Sequence, residues 1–595
     1  MLKPTIDRLD YGKLLSPPPG YETAAAVGTT YSLDMDALIG ICIALGLSES
    51  TDGELRDNPI YLLDVLRKTA DKVVVFCEGG QTKAPANMSS LYILLEKIVF
   101  EVNLPNKKSF HPKFWLVKYE NKDKDVIYRC VVLSRNLTFD RSWDVALSFE
   151  GIKGGATTEK STPLRDLLRY LKRYTPKSDI NGFPKRKLLN SFSDEVANVS
   201  FSLKDKRFPD FEIWPVGIPR SDIDGIYNIK DAGLFHKYKE LLIVSPFISG
   251  GIIEDFNKLA LKDAGRTLIT RKSELKKLKP EAVDGIDIYT MKDAIVDGED
   301  SFTEDAEEKQ RQDIHAKLYL KTKYSESDLY LGSLNASHSA CHGNVEFVIK
   351  LSGKRRYLNV DILKNDIFGG EPDNMDNPFE LTELPGYMDP TPEPSDLLQK
   401  QIKEVCRARS SASVSEQDGK YNITVAFDKL PPMDRVSISP LLSNKEKPVD
   451  SSVEFTGLDL LQLSEFYVVR AENDEDIVCR VIKITTGNMP ELRENALVNS
   501  IIKDRRSFIQ YIVFLLGDNY LLSLLENKEM QTPGFAPWKG EQIPALYEKM
   551  LKTAASAPER FDEIDYLLRM ITDEEIIPDG FAGLYDTFKK AVKKK

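Results

Sequence analysis

His111-Pro112-Lys113 … Ser134-Arg135-Asn136 … Asp144 is a pattern that the chain writes a second time, as His315-Ala316-Lys317 … Ser333-Leu334-Asn335 … Glu346. Asn136 lies 25 residues after His111, and Asn335 lies 20 after His315. The acids follow their asparagines by 8 and 11 residues. The whole chain holds only five histidines, so two of them opening matched motifs is hard to obtain by accident. Only the loop lengths differ, which is what an internal duplication would leave.

The elements around each copy recur in the same order. Before the first copy, residues 33–47 alternate in a helical manner. Val73-Val74-Val75-Phe76-Cys77 then reads as a buried strand that ends in Glu78-Gly79-Gly80. Strands are expected at 113–119, 126–134 and 145–149. Before the second copy, Leu241-Leu242-Ile243-Val244-Ser245-Pro246-Phe247-Ile248 is an apolar strand run. Further strands are expected at 266–269, 317–320, 329–331 and 347–351. The fold class is therefore α/β, with halves at 31–150 and 225–352 forming one domain.

The remainder divides by composition. Residues 1–30 read as an N-terminal arm, since Pro17-Pro18-Pro19-Gly20 interrupts regular structure. Residues 151–224 connect the halves and carry a helix over 163–174, with proline in its first turn. Residues 353–396 read as a linker rich in proline and acids. Residues 397–490 read as a small β-rich module, from runs such as Asn422-Ile423-Thr424-Val425-Ala426-Phe427. Residues 491–595 read as helical, with Leu497, Ile501, Phe508, Ile512 and Leu515 on one stripe.

The doubled motif has a chemical logic. Alternation along an extended segment puts the histidine and lysine of H-x-K on one face. A phosphoryl group docked there meets an imidazole nitrogen and an ammonium together. The asparagine amides donate hydrogen bonds to its oxygens. An Asp or Glu nearby takes the other imidazole proton, fixing the tautomer and supporting an imidazolium. One imidazole attacks phosphorus while the second protonates the leaving oxygen. Two lysines and two asparagines supply the charge stabilisation, so no metal or other cofactor is expected.

This paired H-x-K…N…E/D pattern resembles the phospholipase D superfamily, and within it the nuclease and tyrosyl-DNA phosphodiesterase branch. Ser134-Arg135-Asn136-Leu137-Thr138, followed by Trp143, carries the likeness to that branch, as does Ser245-Pro246-Phe247-Ile248. The resemblance spans about 30–352. It implies two pseudo-symmetric phospholipase D-like halves forming one catalytic domain. It implies a metal-independent phosphodiesterase, foremost a nuclease, working through a phosphohistidine. By the resemblance His111 is the nucleophile, and His315 is the general acid and later the base. Lys113, Lys317, Asn136 and Asn335 bind the phosphate, and Asp144 and Glu346 orient the imidazoles. Ser134 and Ser333 are taken as substrate-binding. Relatives of this build often stand in prokaryotic antiviral defence operons beside a helicase or ATPase, which is the partner expected here.

Substrate signals lie outside the motifs. Arg165, Arg169, Lys172, Arg173, Lys177, Lys185, Arg186 and Lys187 face only Asp166 and Asp179 in their segment. Tyr170 and Tyr174 are interleaved, a mixture suited to phosphate contacts and base stacking. A second basic run holds Arg266, Arg271, Lys272, Lys276, Lys277 and Lys279. Nucleic acid is the expected partner, DNA ahead of RNA. Residues 293–308 hold eight acids and no lysine or arginine. They read as a solvated loop, or as a gate that imitates a phosphate backbone. His338-Ser339-Ala340-Cys341-His342 offers two zinc ligands where structural zinc wants four. His236 reads as structural.

Composition sets the outer limits. With 595 residues the chain should form three or four modules at roughly 100–200 residues each. A hydrophobic fraction of 42% and a charged fraction of 29% suit a globular protein. The net charge of −11 argues against a coat of nucleic acid, yet a local basic groove is enough to hold a backbone. Six scattered cysteines without C-x-x-C spacing read as reduced thiols. No signal peptide or membrane span is legible, so a cytoplasmic, unanchored protein is expected. Two other readings stay open. A phospholipase or transphosphatidylase would want an apolar rim or an amphipathic membrane helix near the site. A non-catalytic nucleic-acid-binding scaffold would not need both histidines.

Overall fold

The computed structural model describes residues 2, 7, 9–46, 58–106, 108–140, 142–154, 157–176, 185–292, 313–370, 377–388, 394–516 and 543–592. The first half contributes β1 (Tyr21–Thr30), β2 (Val73–Glu78), the short β3 (Thr82–Lys83) and β4 (Val99–Val102). It continues with β5 (Phe114–Asn121), β6 (Val126–Leu133), the short β7 (Ser142–Trp143) and β8 (Ala146–Lys153). After two helices comes β9 (Val199–Ser202). All but β3 and β7 join one sheet, in the order β4-β2-β1-β5-β6-β8-β9. Strands β4, β2 and β1 are parallel, and from β1 to β9 the neighbours are antiparallel.

The second half contributes β10 (Asp210–Trp214), β11 (Tyr238–Val244), β12 (Ala260–Ile269), β13 (Asp287–Met291) and the short β14 (Asp313–Ile314). It then forms β15 (Leu318–Lys323), β16 (Glu326–Gly332), β17 (Val348–Lys354) and β18 (Phe379–Leu381). All but β14 order as β10-β17-β16-β15-β11-β12-β13-β18. Again three parallel strands, here β11, β12 and β13, lead through an antiparallel contact to a hairpin, β15-β16, and on to β17.

Strand alternation assembles the core. Phe114 and Leu116 point to the second sheet, while Trp115, Val117 and Tyr119 point to the helices behind the first. Leu318 and Leu320 join the same inter-sheet cluster, and Tyr319 faces outward to a separate one. The Phe114 and Phe347 rings stack across the sheets at 4.6 Å. Behind the first sheet, Leu38, Leu66, Leu497, Phe508 and Ile512 share one cluster, so the C-terminal helices belong to this layer. Tyr511 donates to Asp64 at 3.1 Å, which ties the two parts by a buried hydrogen bond.

The third region starts with the helix Pro394–Arg407. It continues through β19 (Arg409–Gln417), β20 (Lys420–Asp428), β21 (Val436–Pro440), β22 (Lys447–Pro448) and β23 (Ser452–Leu458). It ends with β24 (Phe466–Glu472), β25 (Ile477–Lys483) and β26 (Thr486–Gly487). These form a sheet β23-β20-β19-β26 and a sheet β22-β21-β24-β25-β3. The second of these takes β3 from the first half.

The structure corrects three boundaries. The arm at 1–30 ends in β1, a central strand of the first sheet. Its sequence, Tyr21-Glu22-Thr23-Ala24-Ala25-Ala26-Val27-Gly28-Thr29-Thr30, has few large apolar residues. Small side chains are needed there, because a Cβ on Gly28 would stand 2.6 Å from the Trp115 ring. The connecting segment supplies two edge strands, β9 and β10, one to each sheet. The linker holds the helix Val360–Ile367 and strand β18, so it is built into the second half. The acidic stretch 293–308 lies outside the described residues. All six cysteines are unpaired. No helix among the described residues is long and apolar enough to cross a membrane.

Candidate active site

Each H-x-K lies in the extended lead-in to a central strand, β5 or β15, one residue before the strand begins. Backbone bonds tie each lead-in to the other half. His111 N–H donates to the Val345 carbonyl at 2.8 Å. His315 N–H donates to the Trp143 carbonyl at 3.0 Å. Val345 and Trp143 directly precede the two acids, so each histidine meets the acid of the opposite copy. His111 Nδ1 is 2.8 Å from Glu346 Oε2, and His315 Nδ1 is 3.1 Å from Asp144 Oδ1. The motifs therefore interlock into one cluster across the inter-sheet seam.

The lysines fold back beneath the rings. Lys113 Nζ lies 2.9 Å from His111 Nε2 and donates to the His111 carbonyl at 3.1 Å. With Lys113 donating to Nε2, the ring proton stays on Nδ1 and donates to Glu346. Lys317 Nζ donates to the carbonyls of His315 and, at 3.5 Å, of Ser134. Both lysines are buried, and their charges act on each other. Burial, then the neighbouring Lys317, holds Lys113 well below the usual lysine range. Burial lowers Lys317 to about 7, against the pull of Asp144 and Glu346. An anion bound between them would restore both charges, because opposite charge favours the protonated form.

The acids differ more than the motifs suggest. Glu346 is fully buried, and burial pushes it up to about 8 despite Lys113, Ser333, Asn344 and Lys317. Burial also acts to raise Asp144, but the His315 hydrogen bond and charge, with Lys317 and Ser142, hold it at about 2. Both imidazoles are low. Burial, Lys113 and Lys317 keep His111 well below the ordinary histidine range. Burial and Lys317 take His315 to about 3, with Asp144 opposing. Both rings are therefore neutral at neutral pH when no anion is bound.

Ser134 and Ser333 correct the expectation that they bind substrate. Ser134 Oγ donates to Asp144 at 2.8 Å and accepts from Val145 N–H at 2.9 Å. Ser333 Oγ donates to Glu346 and accepts from Phe347 N–H at 2.9 Å. Each hydroxyl is buried and fully engaged in anchoring the acid of its own copy. The asparagines are less occupied. Asn136 Oδ1 accepts from Ser32 N–H only at 3.5 Å. Asn335 Oδ1 is buried and meets no hydrogen-bond partner among the described residues. A buried amide of that kind suits a site that takes a polar ligand.

The basic segment separates into two kinds of residue. Lys185 is buried and donates to the Ala70 carbonyl and, at 2.8 Å, to the Val73 carbonyl. Arg186 donates to the Lys172 and Thr175 carbonyls at 3.0 and 3.1 Å. These two brace helix ends and strand ends rather than face a ligand, which corrects their assignment to substrate. Arg165 reaches Ser221 and Asp166, Arg169 pairs with Asp194 at 3.1 Å, and Lys172 donates to Asn190. Arg173 lies over the Tyr170 ring at 5.7 Å. Lys187 is exposed on the helix Lys185–Val196, and Lys177 lies outside the described residues.

Sequence reasoning missed Tyr31. Its ring centroid is 5.0 Å from that of His111, just past the end of β1. It belongs to no motif, and it follows β1, whose small residues carry little strand signal. Arg271 is also newly placed at the site. It donates to the Ile314 carbonyl at 2.8 Å, pairs with Asp313 at 3.1 Å, and its charge reaches Lys317. The rings of His338 and His342 are 4.8 Å apart on one short helix. Among the described residues no group of three or more His, Cys, Asp or Glu side chains is arranged to hold a metal.

No protein-family model and no curated protein sequence matches the chain. Among solved structures it is similar to the yeast tyrosyl-DNA phosphodiesterase, at 13% identity and a TM-score of 0.34, over 57% of this chain and 84% of that one. It is similar to the polyphosphate kinase of Porphyromonas gingivalis, at 11% identity and a TM-score of 0.29, over 59% of this chain and 45% of that one. It is also similar to the phosphatidylserine synthase of Haemophilus influenzae Rd KW20, at 11% identity and a TM-score of 0.31, over 67% of this chain and 89% of that one.

Proposed function

We propose that the chain is a phosphodiesterase that cleaves nucleic-acid phosphodiester bonds through a phosphohistidine, without a metal. The observation that carries this reading is the crosswise pair of imidazole–carboxylate contacts, His111–Glu346 and His315–Asp144, closed over two buried lysines. Both rings keep Nδ1 against a carboxyl, so Nε2 is the nitrogen for chemistry; on His111 it accepts from Lys113 until a bound phosphate draws that amine away. Two matched bases flanking one cationic floor is the arrangement that in-line displacement at phosphorus requires.

In the first step His111 Nε2 attacks phosphorus and forms the N–P bond. The P–O bond to the leaving group breaks, and that oxygen takes the proton of the His315 imidazolium. In the second step water attacks phosphorus, His315 takes the proton from water, and the N–P bond breaks to free His111. Lys113, Lys317, Asn136 and Asn335 offset the negative charge on the phosphoryl oxygens in both transition states. A bound phosphate raises the proton affinity of His315, and the ionised Asp144 at its Nδ1 supports the resulting imidazolium. Glu346, raised by burial, is a weaker support for charge on His111, which suits an imidazole that must be neutral to attack. A place in an antiviral defence system beside a helicase or ATPase is part of the proposal and rests on the motif resemblance alone.

The test is incubation with plasmid, single-stranded DNA, RNA and phospholipid in EDTA, with His111→Ala as control. Cleavage of nucleic acid that persists in EDTA and is lost in the variant is expected. Activity restored only by Mg²⁺ would overturn the metal-free reading. Activity on phospholipid alone would transfer it to the lipase class.

A further inference from the structure

Two lysines lie against Tyr31, the residue whose ring rests against His111. Lys113 Nζ lies 5.8 Å and Lys403 Nζ 5.4 Å from its ring centroid. Lys403 also donates to the phenol oxygen at 3.2 Å. Arg480 approaches from the accessory sheet: its strand partner Lys83 follows Thr82, which bridges to Leu33, two residues past Tyr31. Lys403 and Arg480 do not come from the catalytic halves. Lys403 stands on the helix Pro394–Arg407, and Arg480 stands on β25.

The backbone explains how the third region reaches the site. Arg480 is in register with Lys83 of β3. Thr82 of β3 bridges to Leu33, and Leu33 bridges to Leu137, the neighbour of Asn136. Hydrogen-bonded backbone thus runs without a break from the accessory sheet to the asparagine loop. Gly80 allows the helix to come close: its φ is +70°, and a Cβ there would stand 2.7 Å from Cys406 Sγ.

The surrounding charges leave one cation unmatched. Lys403 lies 3.6 Å from Glu78, which is buried and also accepts from Phe110 N–H at 2.7 Å. Lys83 pairs with Asp140, and Arg407 with Glu404. Arg480 is half-buried and makes no ion pair among the described residues; its guanidinium donates to the Cys479 carbonyl at 2.8 Å. A guanidinium partly withdrawn from water without a counter-charge carries a desolvation cost, and an anion beside it offsets that cost.

We infer that Arg480 and Lys403, with Tyr31, form a second anion subsite on the His111 side, which takes the phosphate adjoining the scissile one in a nucleic-acid strand. This rests on the phosphodiesterase reading above and adds the substrate's reach. A strand carries a phosphate at every step, whereas a minimal diester has only the one that is cut. The accessory region is then part of the active site, and strand length becomes a determinant of affinity.

Full-length Arg480→Gln, Lys403→Gln and the double variant test this, with Arg480→Lys as the conservative control. Anisotropy of a labelled single-stranded oligodeoxynucleotide over a salt series reads the phosphate contacts. Each single variant is expected to reduce the log–log salt slope by about 0.7, and the double by about 1.4. Arg480→Lys should retain most of the slope. The ratio of kcat/KM for the oligonucleotide to that for a dinucleotide should fall about tenfold in the double variant, through KM. An unchanged slope and ratio would overturn the subsite. Equal losses on both substrates would also overturn it, since they mark a structural role. If the variants show the expected slope changes but wild type cleaves neither substrate, the subsite stands and the phosphodiesterase reading fails. If Arg480→Gln does not fold by circular dichroism, the Lys403→Gln slope decides.

Discussion

His111 meets a carboxyl that is wholly buried, whereas His315 meets one that keeps partial exposure and two serine hydroxyls. Around His111 stand Glu346, Lys113, Tyr31 and, through Tyr31, Lys403. Around His315 stand Asp144, Lys317 and the lead-in braced by Arg271. The backbone frames match, since each histidine N–H bonds the carbonyl just before the opposite acid. The electrostatics do not match, because one acid is raised to about 8 and the other held at about 2. Two copies of one pattern can thus be tuned to unlike tasks by burial together with hydrogen bonds and neighbouring charges, and separated acidities are a guide to which partner moves protons.

The largest effect should come from the histidines themselves. His111→Ala is expected to cost about 10⁴-fold or more in turnover and to give no covalent adduct. His315→Ala should still form an adduct on a nitrophenyl ester, whose leaving group needs no proton, and should then accumulate acid-labile phosphohistidine. Mass spectrometry of trapped protein reads this. Phosphate on residue 315 in the His111→Ala protein would reverse the two roles.

The acids give the next effect and sharpen the contrast. Asp144→Asn should cost about 10³–10⁴-fold with an ordinary alcohol leaving group, because the imidazolium loses its support. With a nitrophenolate leaving group the loss should shrink below about tenfold. Glu346→Gln should cost about tenfold with either, as its partner His111 neither takes up nor gives away a proton in the two steps. Equal, leaving-group-independent losses for the two variants would erase the proposed asymmetry.

The smallest effect is on stability, and its sign differs between the acids. Glu346 binds its proton more tightly in the folded state than in the unfolded one, so its contribution declines as pH rises from about 4.5 to about 8. Glu346→Gln should flatten that decline, by about 5 °C in melting temperature across the window. Asp144 is depressed, so its contribution is present above about 4 and is lost as pH falls towards about 2. Asp144→Asn should act only on that acid side. Melting curves taken from pH 2 to pH 9 would show both windows, and a single shared window would contradict the difference between the two acids.

The alternation of large apolar residues was enough to read most strands of both sheets. Residues 113–119 and 241–248 are each heavy in branched and aromatic side chains, and β5 and β11 are found there, although β11 runs from Tyr238 and ends at Val244. The doubled H-x-K, S-x-N and acid were equally plain, because their chemistry is written in residue types rather than in contacts. The small residues of β1 hid a central strand, since their reason is the bulk of Trp115, which is distant in sequence. The basic segment also misled, because Lys185 looks like any surface lysine until two backbone carbonyls are seen around it.

By itself the sequence determined the repeated pattern and the α/β class, and it named His111, Lys113, Asp144, His315, Lys317 and Glu346, whose side chains cluster at the seam. Tertiary structure alone decided how they combine. Within each copy the acid is closer in sequence to its own histidine, yet the backbone bonds His111–Val345 and His315–Trp143 cross the copies and hand each acid to the other ring. It also decided that the serines anchor acids, that Tyr31 joins the site, and that Lys403 and Arg480 arrive from the third region. These outcomes depend on which strand edges and helix faces pack together, and packing brings together residues hundreds of positions apart that no local spacing links.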